Sequence, residues 1–216
     1  MNTFKTLKEN SQSEIEIKKS RFITYIFRIN NEEESKIILD KLRKEHYKAN
    51  HLCSALVVGE KQEIKRSSDD GEPSGTAGLP ILSVLEKQNL TNVFVVVVRY
   101  FDGTKLGTGG LIRAYSTATS HAIENNSIVE IKELLGIRIV MSYNQYQIYS
   151  QFLESEKLSE FDTDFTDHIT TSIFCEEDRF ENICHHLNDY FNGKIDYKKI
   201  NSKIVEVPFR EKITSD

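Results

Sequence analysis

Val93-Phe-Val-Val-Val-Val-Arg-Tyr-Phe-Asp-Gly-Thr-Lys-Leu-Gly-Thr-Gly-Gly-Leu-Ile-Arg-Ala-Tyr115 decides how the chain is read. Its first six residues form an apolar, mostly β-branched run, which reads as a strand buried on both faces. From Leu111 to Asn125 the apolar residues take helical spacing. Between them lie Gly103, Gly107, Gly109 and Gly110 with Lys105, Thr104 and Thr108. A strand that feeds a glycine-rich turn and then a helix start gathers several backbone N–H groups in one place, with the helix dipole behind them. That is an anion site in outline. The same glycines also suit a tight turn or close helix–strand packing, and spacing leaves both readings open.

Outward from this stretch, the chain behaves as a soluble two-domain protein. Its 216 residues are enough for two small domains or one large one. A net charge of −5 argues against broad, non-specific coating of DNA, which needs a dominant basic surface. The longest apolar run is the valine strand itself, far short of the ~20 residues that span a bilayer. Met1 to Asn10 has no apolar core and does not read as a signal peptide. Three cysteines without a CxxC pair point to a reducing compartment. The expectation is a cytoplasmic protein with no membrane partner and no cofactor.

Before the valine strand, residues 15–30 read as two strands meeting near Lys18 to Arg21. Asn30 or Asn31 then caps a helix whose first turn is rich in glutamate. His51 to Val58 reads as a strand, turning at Gly59 to Gln62 into a partner that ends at Lys65-Arg66. Ser67-Ser-Asp-Asp-Gly-Glu-Pro-Ser-Gly-Thr-Ala-Gly78 is too rich in glycine and turn formers to be a regular element. Pro80 fits the first turn of a helix running to about Gln88. After the opening stretch, Leu111, Tyr115, Ala118 and Ala122 form the apolar stripe of a helix, and Arg113, Thr117 and His121 a polar one. Asn125 to Glu130 reads as a polar seam between domains 1–130 and 131–216. Beyond it the order is strand, helix, strand, strand, helix, strand, the ferredoxin-like arrangement, with Asn192-Gly193 as a helix stop. The fold class expected is α+β.

Standard phosphate loops fail on spacing. Lys105 precedes Gly107 where a Walker loop needs lysine after glycine, and Ile112 stands where a dinucleotide fingerprint needs glycine. What remains is Gly107, Thr108, Gly109 and Gly110 at a helix start, with Arg99, Lys105 and Arg113 nearby in sequence. Asp69, Asp70 and Glu72 cluster carboxylates that can hold a cation, act as a base or bond local backbone N–H groups. The last is the favoured reading. His51 and Cys53 share one strand face, as a nucleophile–base pair would, although a strand cysteine is more often a small core residue. Cys175, Cys184, His185 and His186 resemble a metal cluster only superficially, because neighbours on a helix point apart by ~100°. Ser74 and Ser116 lack the setting of a nucleophile elbow.

Arg66-Ser-Ser-Asp-Asp-Gly-Glu-Pro-Ser-Gly-Thr-Ala-Gly78 and Val95 to Tyr115 together resemble the signatures of the YigZ/IMPACT family, and the resemblance covers the whole length. Lys19-Ser20-Arg21-Phe22 and His51-x-Cys53 also sit where that family has related residues. The resemblance implies an N-terminal domain like domain 2 of ribosomal protein S5 and a C-terminal ferredoxin-like domain similar to a late domain of the ribosomal translocase. Eukaryotic relatives are linked to translation initiation through a partner acting on an initiation-factor kinase, using an extra N-terminal module. This sequence is expected to lack that module. For the two-domain bacterial form the resemblance implies a nucleic-acid- or ribosome-associated role without an assigned reaction. One departure is Asp102, where the family usually has glycine; its charge falls beside the glycines proposed to hold an anion.

The favoured function is therefore a non-enzymatic RNA- or ribosome-associated protein, a translation regulator, with translation factors among its partners and a small anion at the glycine-rich loop as a second type of ligand. Its candidate binding residues are Arg21, Arg66, Ser67, Ser68, Arg99, Lys105, Gly107, Thr108, Gly109, Gly110 and Arg113, in a groove bordered by loops 66–78 and 99–113. A protein-interaction module is the first alternative. A metal-assisted hydrolase or phosphotransferase using His51, Asp69, Asp70 and Glu72 is the second, and it requires the two loops to converge.

Overall fold

A computed structural model describes residues 3–209 of the chain. It is a mixed α+β structure of two compact units, each with an antiparallel sheet. One unit runs to Ile131 and takes in the chain again from Glu206; the other is Lys132–Val205.

The first unit opens with β1 (Phe4–Leu7), β2 (Ser11–Ile17), β3 (Ser20–Arg28) and α1 (Glu32–Glu45). It continues through β4 (His51–Val58), β5 (Ile64–Ser68), α2 (Gly78–Lys87), β6 (Val93–Tyr100) and α3 (Gly107–Glu124). Five of the strands form a sheet in the order β2-β3-β6-β4-β5, with β6 antiparallel to both β3 and β4. The valine run is thus the centre of the sheet. Because side chains alternate along a strand, Val93, Val95 and Val97 pack with α2 and α3, while Phe94, Val96 and Val98 pack with Leu42 of α1. Each valine so buried stabilises by about 1.5–3 kcal/mol.

Local chemistry sets the element ends. Lys18 and Lys19 both take positive φ in the two-residue turn between β2 and β3. Asn31 caps α1 by accepting from the Glu34 N–H, with Glu32, Glu33 and Glu34 in the first turn. Gly78, at the start of α2, lies so close to β5 that a Cβ would come within 2.7 Å of the Ser68 backbone. Only glycine permits that approach.

Two expectations are corrected here. Helix α3 starts at Gly107, four residues before the apolar spacing begins, so Gly107, Gly109 and Gly110 lie inside its first turn. Glycine is a poor helix former, but Leu111, Ala114, Tyr115, Ala118 and Ala122 anchor the helix on the sheet, and packing overrides propensity. The residues 125–130 are not all seam either. β7 (Ile128–Met141) begins at Ile128, and its first residues pair with β1, Leu7 opposite Ile128 and Phe4 opposite Ile131.

In the second unit β7 continues into α4 (Tyr143–Glu156), β8 (Glu160–Phe165), β9 (Ile169–Cys175), α5 (Glu177–Tyr190) and β10 (Asp196–Pro208). The strands are ordered β10-β7-β9-β8. Ser142 and Gln145 form a reciprocal capping box at the start of α4. Ile137, Ile139, Tyr149, Phe152, Ile173 and Leu187 make the core between sheet and helices. Among the described residues no helix is long and apolar enough to cross a membrane.

Candidate functional site

The two irregular stretches of the first unit meet. A cavity of about 420 Å³ is lined by Glu72 and Pro73 from one, by Arg99, Phe101, Lys105, Leu106, Gly107, Thr108 and Leu111 from the other, and by Asn50 and His51.

Its floor is a buried polar network. Arg99, one residue before the end of the central strand, is on the face towards α2 and α3, and its Nη1 donates to Glu72 Oε1 at 2.7 Å. Arg99 and Glu72 side chains are 5 % and 4 % exposed, so this ion pair is a buried one. The Tyr115 hydroxyl donates to the same Glu72 oxygen at 2.8 Å, and Arg99 Nη2 lies 3.3 Å from the Ser20 hydroxyl. The guanidinium is flanked by the Phe22 and Phe101 rings, 5.5 and 5.1 Å from their centroids. Arg99 Nε is buried without a hydrogen-bond partner.

The carboxylates of the first loop are committed to the backbone. Asp69 accepts from the N–H groups of Gly75, Ala77 and Gly78 at 2.8–3.0 Å. Burial acts to raise its pKa, but these three bonds outweigh it and hold the carboxyl below the usual aspartate range. Asp70 accepts from the Leu52 N–H at 2.7 Å and from Arg43 at 3.2 Å. Neither aspartate lines the cavity, and Glu72 is held by Arg99 and Tyr115. The enzymatic alternative therefore meets its geometric requirement, converging loops, but its two aspartates serve the fold.

His51 and Cys53 do share a strand face, without acting as a pair. The Cys53 thiol donates to the Asp69 carbonyl at 2.9 Å and lies 3.3 Å from the Tyr115 hydroxyl. Burial pushes the thiol up to about 12, far from a nucleophile's range. His51 Nδ1 lies 2.8 Å from the Asp70 carbonyl oxygen. A carbonyl only accepts, so Nδ1 carries the proton and Nε2 is the acceptor in the neutral ring.

The second stretch is the opposite case. Helix α3 has no side-chain cap and no acidic residue in its first turn. Among the described residues, no backbone oxygen outside the helix accepts from Gly107, Thr108 or Gly109. Gly107 needs to be glycine for its φ of +70°, whereas Gly109 has ordinary helical backbone and open space where a Cβ would stand. Asp102 is exposed and outside the cavity lining, and Gly103, at φ +82°, makes the turn.

The remaining sequence candidates separate. Arg21 is exposed and holds Glu14 at 2.8 and 3.0 Å. Arg66 is exposed beside Glu32 at 3.3 Å, and Ser67 and Ser68 are exposed on β5. Arg113 is exposed on α3; none of these lines the cavity. Gly109 and Gly110 belong to the uncapped turn without forming the cavity wall. Asn50, Phe101 and Pro73 are additions that sequence reasoning missed, since nothing in an asparagine, a phenylalanine or a proline alone marks a wall. In the second unit His185 pairs with Asp189 at 2.9 Å and His186 with Glu156 at 2.9 Å. Among the described residues no group of three His, Cys, Asp or Glu side chains is placed to hold a metal ion.

With this geometry in view, comparison with known proteins is specific. Residues 18–123 match the Impact N-terminal domain, and residues 139–194 match a domain of unknown function, DUF1949. The IMPACT family member YvyE of Bacillus subtilis is 37% identical over 200 residues, covering 92% of both chains. The chain belongs to the IMPACT family. A solved structure titled only as a hypothetical protein superposes with a TM-score of 0.58 at 29% identity, over 93% of this chain and 98% of its own. The two-domain translational regulator Yih1 aligns at a TM-score of 0.32 and 24% identity, over 56% of this chain and 47% of its own. At that score nothing about this chain follows from Yih1.

Proposed function

We propose that this chain is a non-enzymatic, cytoplasmic RNA- or ribosome-associated protein of the translation apparatus, which grips phosphate at the cavity between loops 66–78 and 99–113. Its domains divide near residue 130, the first like domain 2 of ribosomal protein S5 and the second ferredoxin-like. The β7-α4-β8-β9-α5-β10 succession with strand order β10-β7-β9-β8 supports the second assignment.

The observation that carries the binding reading is the uncapped start of α3. Gly107 and Thr108 of its first turn line a cavity that is also lined by Lys105 and by Arg99. A helix start with free N–H groups, a positive dipole end and the Lys105 ammonium nearby suits an oxyanion. The net charge of −5 confines such binding to a local site.

Sedimentation with ribosomes and with structured RNA at low salt tests the reading. Association that weakens as salt rises is expected, because phosphate contacts release counterions. No association at low salt would overturn it. Lys105→Ala should weaken binding and lower the salt slope by about one.

A further inference from the structure

The cavity wall carries a feature that phosphate alone does not explain. His51 Nε2, which in the neutral ring is the acceptor because Nδ1–H faces the Asp70 carbonyl, lies 3.9 Å from Glu72 Oε2. That distance is too long for a hydrogen bond. Both Arg99 and Tyr115 bond the other Glu72 oxygen, Oε1, so Oε2 has no hydrogen-bond donor among the described residues. His51 Nε2 has none either. Two acceptors thus stand side by side on the wall of a cavity that is also lined by Lys105 and by Gly107 and Thr108 from the start of α3, which offer donors. Pro73, Phe101, Leu106 and Leu111 supply an apolar wall.

The occupant that satisfies all three must be an anion, must carry a hydroxyl donor and must present a flat apolar face. A free cation or an amine would suit the acceptors but not the helix start with Lys105 nearby. An inorganic phosphate would leave the acceptors and the apolar wall without partners. We propose that the cavity takes one ribonucleotide of an RNA strand. Its phosphate sits at the start of α3, its base lies against Phe101 and Pro73, and its 2′-hydroxyl donates its one hydrogen to His51 Nε2, the acceptor beside Glu72 Oε2. The 2′-hydroxyl is the group by which a protein tells RNA from DNA at a given position. This inference rests on the phosphate-binding reading above and adds the discrimination between the two nucleic acids.

The test is binding of the full chain to three labelled single strands of one sequence, RNA, DNA and 2′-O-methyl RNA, followed by fluorescence anisotropy at fixed low salt. The methyl ether keeps the sugar but removes the donor. RNA should bind about tenfold more tightly than either of the others, the effect of leaving an acceptor without its donor. In His51→Ala the RNA-to-DNA ratio should fall towards one. Equal affinity for RNA and DNA, or an undiminished affinity for the methylated strand, overturns the inference while leaving the phosphate reading intact. Absence of binding to all three overturns both. A free ribonucleoside monophosphate that binds as tightly as the strand would show a small molecule to be the ligand and overturn the assignment to RNA. The three-strand comparison needs no variant, so it stands even where His51→Ala fails to fold.

Discussion

Two irregular stretches, 67–78 and 101–110, are both built from glycine, threonine and charged or turn-forming residues, yet they use their polar groups in opposite ways. In the first, Asp69 holds three backbone N–H groups, Asp70 holds a fourth, and Thr76 bonds the Pro73 carbonyl. In the second, Asn50 bonds the Phe101 N–H, and the helix start is left open. The difference teaches that a cluster of carboxylates can be scaffolding while a run of glycines at a helix start is left without caps. What decides between them is where each donor and acceptor goes.

The largest effect should come from the residue that joins the two stretches. Glu72→Ala strands the Arg99 guanidinium, buried beside Phe22, without its counter-charge. Removing one partner of a buried pair costs about 3–5 kcal/mol. Denaturant unfolding measures it, and a loss under about 1 kcal/mol would mean that the pair is solvated and that the contrast is overdrawn.

Asp69→Asn comes next. Weakening bonds to a charged acceptor should cost about 1.5–3 kcal/mol at neutral pH. The pH dependence has a definite sign. The folded carboxyl titrates below the ordinary aspartate value of 3.8, so its contribution is complete above that value and is lost as pH falls through the folded one. Asp69→Asn should therefore flatten the acid limb of the stability curve below about pH 4. An unchanged acid limb would show that the loop does not depend on this carboxylate.

On the recognition side, effects on stability should be small. Gly109→Ala is expected to leave the fold intact or stabilise it by up to about 1 kcal/mol, since its Cβ would meet nothing within 4 Å. Gly78→Ala offers the contrast, since its Cβ meets the Ser68 backbone at 2.7 Å and should destabilise without touching the binding surface. If both glycines behave alike, the division into scaffold and surface fails. The smallest effect is expected at Cys53, whose thiol should resist alkylation in the folded protein at pH 8 and react freely in denaturant. Fast labelling of the native protein would instead mean that the network under the cavity opens.

Much of the fold was legible without coordinates because its signals are local. Alternation and β-branching marked β6, Asn31 and the glutamates marked the start of α1, and the apolar stripe of α3 fell on residues that are buried. Gly107 to Gly110 were read as a helix start, but apolar spacing, which begins at Leu111, did not show that they lie within the helix, since glycine propensity argues against a helix that packing elsewhere enforces. Strand β1 escaped notice because its short run is completed only by pairing with residues 128–131.

For the site, the sequence by itself determined that two glycine-rich stretches mattered, that standard nucleotide loops were absent, and that the chain resembled the IMPACT family. It could not say which charged residues face one another, because side-chain direction across a sheet depends on register, and register is set by strands distant in sequence. Only the tertiary structure left Arg21, Arg66 and Arg113 outside the cavity lining, placed Arg99 on Glu72, and set His51 Nδ1 to donate to the Asp70 carbonyl. Composition identifies which donors and acceptors exist; burial and distance decide which of them still lack a partner.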